Sequence, residues 1–133
     1  MLEPLRAEHN QRDYAAWSSS IDHIHATPGF AERTWPHAMS SDENLRDLEA
    51  HERDFEAGAG FTYTVLDPST DEVIGCVYVY PSEAGTHDAA VRSWVRAACA
   101  HLDVPLWQAV SRWLATEWPF AAVEYAPREG LRS

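Results

Sequence analysis

Three runs rich in β-branched and aromatic residues follow one another through the middle of the chain. They are FTYTVL (Phe61–Leu66), VIGCVYVY (Val73–Tyr80) and AVRSWVR (Ala90–Arg96). DPSTDE joins the first pair and PSEAGTHD the second. Short β-prone runs bounded by Pro, Gly, Asp and Ser read as strands joined by hairpins. Three in succession commit the chain to an antiparallel meander, and the remaining segments must pack on it. In the second run Val73, Gly75, Val77 and Val79 take one face, and Ile74, Cys76, Tyr78 and Tyr80 the other. Both faces are largely apolar, so this strand is expected at the centre of the sheet, covered on both sides. In the third, Val91 and Val95 share a face with Ser93, opposite Arg92, Trp94 and Arg96.

Helical spacing surrounds the meander. Tyr14, Trp17, Ile21 and Ile24 predict one helix from about Asn10 to the Pro28–Gly29 break. Ser40 followed by Glu43 predicts a capping box. In the helix it opens, Leu45, Leu48, Glu52 and Phe55 share a face, while Asp47, Glu49, Arg53 and Asp54 face water. Gly58 and Gly60 end it. DVPLWQAVSRWLATEW (Asp103–Trp118) predicts another helix, capped by Asp103, with Pro105 in its first turn. Leu106, Val110, Trp113, Leu114 and Glu117 track one side of it. FAAVEYA (Phe120–Ala126) predicts a last strand, and strand, helix, strand within so short a span predicts a parallel crossover. Leu2 to Leu5 predict a short first strand, which Pro4 confines to an edge.

The fold class expected is α+β: one domain over residues 1–133, with a mixed, mostly antiparallel sheet flanked by helices. The 21 acidic residues outnumber the 10 basic ones, all Arg, for a net charge of −11. Such a surface repels phosphate backbones, so no nucleic-acid partner is expected, and it favours an amine or a basic peptide. No apolar run suits a membrane span and the N-terminus has no apolar signal core, so a cytoplasmic location is expected. Cys76 and Cys99 are expected to be buried free thiols. His23 and His25 lie two apart, too close in sequence to share a helical face, and no metal-site spacing is present.

The order β, α, α, β, β, β, α, β resembles the GNAT superfamily of acyl-CoA-dependent N-acetyltransferases. GFTYTVLDPSTDEVIGCVYVYP is similar to that family's hairpin, with its glycine at Gly75. AVRSWVR is similar to the strand that leads into the cofactor loop, and LDVPLWQAVSRWL to the helix that receives the cofactor pyrophosphate. The resemblance implies acetyl-CoA as donor, held at Trp94, Val95, Arg96, Asp103 and Leu106. It implies an acceptor pocket between the first helices, where Trp17, Phe30, Arg33 and Trp35 stand. His87, at the start of the third strand, is a candidate base, and Tyr125 a candidate acid at the depth of the leaving thiolate.

The cofactor loop departs from the family form [RQ]-x-x-G-x-[GA]. Here the segment reads Ala100-His101-Leu102-Asp103-Val104-Pro105. Pro105 offers no N–H, and a carboxylate at Asp103 repels a diphosphate by ~1–4 kcal/mol at ~4 Å. The chain also ends in PREGLRS where the family continues with a helix and two strands, leaving an open sheet edge that suits a homodimer. Two readings follow: an N-acetyltransferase acting on a small amine or basic peptide, and a GNAT-derived interaction module that does not bind acetyl-CoA.

Overall fold

The computed structural model describes residues 1–82 and 87–128. The connection at 81–88 and the polar tail at 127–133 fall partly outside the described residues. Strand β1 (Leu2–Pro4) is followed by a 3-10 turn (Ala7–His9), α1 (Asn10–Ser18), α2 (Ile21–His25) and α3 (Ser41–Ala57). Then come β2 (Phe61–Leu66), β3 (Val73–Tyr80), β4 (Ala89–Val95), a 3-10 segment (Ala97–Leu102), α4 (Asp103–Glu117) and β5 (Val123–Tyr125). The sheet runs β1-β2-β3-β4-β5. All neighbours are antiparallel except β4 and β5, which pair in parallel from Ala89↔Val123 to Val91↔Tyr125. This is the α+β architecture expected, with β1 on an edge and a meander at the centre.

Helices cover both faces. Trp17, Ile24, Phe30, Leu48, Cys76 and Trp94 pack together beneath α1 to α3. Val77, Val79, Val91, Trp107, Val110 and Leu114 pack beneath α4. Cys99 is only half-buried, unlike Cys76, because it lies in the 3-10 segment outside the sheet. Gly75 sits where β4 comes closest, and a Cβ there would stand 2.0 Å from the Trp94 carbonyl oxygen. No helix among the described residues is long and apolar enough to cross a membrane.

Four expectations are corrected. The first helix breaks at Ser19–Ser20, and the Ser20 hydroxyl instead accepts from the Ala97 N–H at 2.8 Å. A bulge sets Val73 opposite Leu66 and Gly75 opposite Val65. The extra residue reverses the alternation, so Val73 joins Cys76 on the α1–α3 side and Ile74 joins Val77 on the α4 side. On α4 the buried side takes in Trp107 and leaves out Glu117, which is exposed, while Leu106 packs half-buried against the same core as expected. The last strand is three residues long, because Phe120 to Ala122 form a loop. There the Asp88 carboxylate accepts from the N–H groups of Ala121 and Ala122 at 2.6 and 3.0 Å.

The expected capping box is present: the Ser40 hydroxyl accepts from the Glu43 N–H, and the Glu43 carboxylate accepts from the Ser40 N–H. Gly58 ends α3 in a left-handed conformation (φ 71°). A buried polar chain ties α3 to α1. Asn44 accepts from the Trp17 indole and donates to Asn10 and to the Asp13 carboxylate.

Candidate functional site

Two adjoining hollows lie on the α1–α3 side of the sheet. The larger, about 1040 Å³, runs along the β4–β5 edge and is lined by Ala90, Val91, Glu124 and Ala126, with Gly29 and Glu32 across from them. The smaller, about 470 Å³, lies under α3 and is lined by Phe30, Asp47, His51, Asp54 and Tyr78. Arg33, Trp35, Tyr80 and Arg92 line both, so they form one cleft. Its roof is the loop after α2, which His25 holds by donating from Nε2 to the Pro36 carbonyl at 2.7 Å.

Asp54 turns inward, contrary to the wet-face expectation. The Tyr80 hydroxyl donates to its carboxylate at 2.9 Å, which pulls the side chain over the end of β3. The same hydroxyl lies 2.8 Å from His51 Nδ1, and Thr62 Oγ1 lies 3.2 Å from that nitrogen. Burial holds the His51 imidazole below its usual pKa, partly offset by Asp47 and Asp54. Burial also raises the Tyr80 phenol to about 12. Neither His51 nor Tyr80 was singled out in the sequence. The available signal was the position of His51 on the Leu48–Phe55 stripe, where a polar residue on an apolar face calls for a partner.

Only some of the expected acceptor residues meet in the cleft. Phe30, Arg33 and Trp35 line it; Trp17 does not, since its fully buried indole lies in the core. His87 lies exposed beside Asp88, outside the cleft lining. Tyr125 faces the α4 layer. Its hydroxyl bonds Ser93 Oγ at 2.5 Å, its ring packs near Trp107, and burial raises its pKa to about 12.

The expected cofactor corner is filled by the chain's own groups. Trp94 and Val95 have no exposed surface, and the Trp94 indole donates to the Tyr78 hydroxyl. Arg96 pairs with Glu72 at 3.1 Å. Asp103 is not the N-cap of α4; the 3-10 segment runs straight into the helix, and Leu102 holds the cap position. The Asp103 carboxylate instead accepts from Arg128 Nε and Nη2 at 2.7 and 3.2 Å. The same guanidinium, 3% exposed, donates to the carbonyls of Ser93 and Ala126. The N–H groups of Ala97, Cys99 and Asp103 are taken by Ser20, Arg96 and Ala100. With Pro105 in the first turn as well, these residues do not fit the diphosphate of acetyl-CoA. The ion pair does neutralise the carboxylate that the sequence sets at the helix start.

No family model matches the chain, and no curated protein matches its sequence. Solved structures do match. A ribosomal-protein-S5-alanine acetyltransferase from Vibrio fischeri superposes with a TM-score of 0.61 at 13% identity, over 85% of this chain and 62% of the other. A Bordetella pertussis protein assigned to the GnaT family of acetyltransferases gives 0.61 at 20% identity, over 86% and 65%. A Trypanosoma brucei acetyltransferase gives 0.53 at 15%, over 100% and 92%. The chain spans less than two thirds of the length of the first two. These superpositions show the shared architecture: the fold of this chain is that of the GNAT acetyltransferases.

Proposed function

We propose that the chain is an N-acetyltransferase domain that moves an acetyl group from acetyl-CoA to a small amine or a basic peptide. The observation that carries this reading is the continuity of the cleft. It leads from the edge where β4 and β5 part, beyond Val91 and Tyr125, to the aromatic and acidic pocket under α3. The half-buried rings of Trp35 and Tyr78 line the pocket and suit a cation, and Asp47 and Asp54 supply opposite charge. The net charge of −11 also steers a cationic acceptor toward the protein. The donor is not gripped at its diphosphate, so no role is assigned to that group, and donor affinity is expected to be weak.

The test offers the full chain acetyl-CoA with a panel of polyamines and basic peptides, and reads amide formation by mass spectrometry. A parallel calorimetric titration with acetyl-CoA reads binding. Acetylated amine, with measurable heat of donor binding, supports the proposal. No product on any acceptor and no heat at millimolar acetyl-CoA would overturn it and leave a domain that binds partners without transferring an acyl group.

A further inference from the structure

We propose that His51 accepts the proton of the ammonium group that enters this cleft, through Nε2, with Tyr80 and Asp54 as residues that position its ring. The inference rests on the acetyltransferase reading above. The hydrogen-bond directions follow from the acceptor at the end of the chain. A carboxylate only accepts, so the Tyr80 hydroxyl spends its proton on Asp54 at 2.9 Å. His51 Nδ1 lies 2.8 Å from the same oxygen, so the ring nitrogen must be the donor. A neutral imidazole carries one N–H, and placing it on Nδ1 leaves a lone pair on Nε2. That nitrogen has no hydrogen-bond partner among the described residues and is not sealed off. The ring is half-buried and lines the cleft beside the rings of Tyr78 and Tyr80, tilted to the first and edge-on to the second, at 5.8 and 6.2 Å between centroids.

The step balances as a proton transfer. The ammonium gives one proton to Nε2, the imidazole becomes imidazolium, and the amine keeps the lone pair it needs to attack an acyl carbon. The charge created on His51 meets Asp54 through Tyr80, and Asp47 on the same helix. The other titratable or charged groups lining this end of the cleft are Asp13 on α1, Tyr78 on β3, Arg92 on β4 and Arg33 on the loop. His87 and Tyr125 stand outside this pocket, so neither can take this proton directly.

Nitrogen NMR of the imidazole in the full chain, with His51→Gln to assign the signal, tests the geometry without relying on turnover. At pH 7.5 the expected form is neutral, with the proton on Nδ1. Acetylation of the best panel amine tests the chemistry. His51→Gln is expected to lower kcat ~100-fold while the KM for acetyl-CoA stays within about twofold. Tyr80→Phe keeps the ring packing and provides a second variant; it is expected to lower kcat about tenfold and to release the Nδ1 proton preference. A proton found on Nε2, or full turnover by a folded His51→Gln chain, would overturn this inference and leave acetyl transfer standing. No acetylation by the wild-type chain would overturn both.

Discussion

The Arg128 guanidinium grips the Asp103 carboxylate through two nitrogens, 25 residues apart in sequence, at the start of α4. The pair closes the corner between that helix and β4. Burying two charges is costly, and the energy is recovered only while both are present. Arg128→Ala should therefore cost ~3–5 kcal/mol, because it strands a carboxylate in a closed corner. The paired change Asp103→Leu with Arg128→Met should recover most of that loss. Urea melts at unchanged slope measure both.

The same corner sets an expectation for the donor. Asp103→Gly with Pro105→Gly removes the carboxylate, restores a backbone N–H and frees the Arg128 fork for a phosphate. The freed guanidinium and the restored N–H should raise affinity for acetyl-CoA about tenfold or more, at a cost in stability. Calorimetry on a chain shown to be folded measures the gain. Unchanged affinity would mean that a diphosphate does not lie at this helix.

Asp13 is buried at 4% exposure beneath the Trp17–Asn44 bond. Burial raises its pKa from 3.8 to about 6, against the lowering effect of the Asn44 amide. The native state therefore holds this proton more tightly than the unfolded chain does. The stabilisation is complete below about pH 4 and fades as pH rises through 6, by on the order of 3 kcal/mol. Asp13→Asn keeps an acceptor for Asn44 and cannot ionise. It should flatten the stability curve between pH 4 and pH 7 and make the chain more stable than wild type at pH 7.5. Denaturant midpoints across that range provide the check.

Gly75→Ala should be among the most damaging small substitutions in the chain. The added methyl would stand 2.0 Å from a carbonyl oxygen and 3.0 Å from the Val95 Cα. All three nearest atoms are backbone, so nothing can rotate aside, and β3 and β4 would have to part. Loss of the folded chain, or a drop in stability of more than about 4 kcal/mol, is expected in thermal melts.

Local patterns fixed by a few neighbouring residues were legible before the structure. Ser40 and Glu43 lie three apart and satisfy each other's backbone, so the start of α3 could be read from four letters. The meander was legible because its turns carry their own chemistry. The features that escaped depend on distant partners. Ser20 ends α1 in company with Ala97, 77 residues away, and the bulge at Val73–Ile74 depends on the β2 register. Asp103 looked like a helix cap because its nearest neighbours allowed it; Arg128 gave it a different role. At the candidate site the sequence marked the roof of the cleft, Phe30, Arg33 and Trp35. It did not mark the His51–Tyr80–Asp54 chain, which forms only when α3 is laid across the end of β3.

The two-sided sheet also sorts the chain's natural fluorophores. Trp17, Trp35 and Trp94 belong to the layer under α1 to α3, and Trp107, Trp113 and Trp118 to the layer under α4. These are all six tryptophans in the sequence. A version keeping only the first three reports optically on the cleft side, and one keeping only the last three reports on the reverse side. Coincident loss of the two emissions in denaturant would describe a molecule that melts as one unit. Staggered loss would show one helical layer peeling from a sheet that the other still holds.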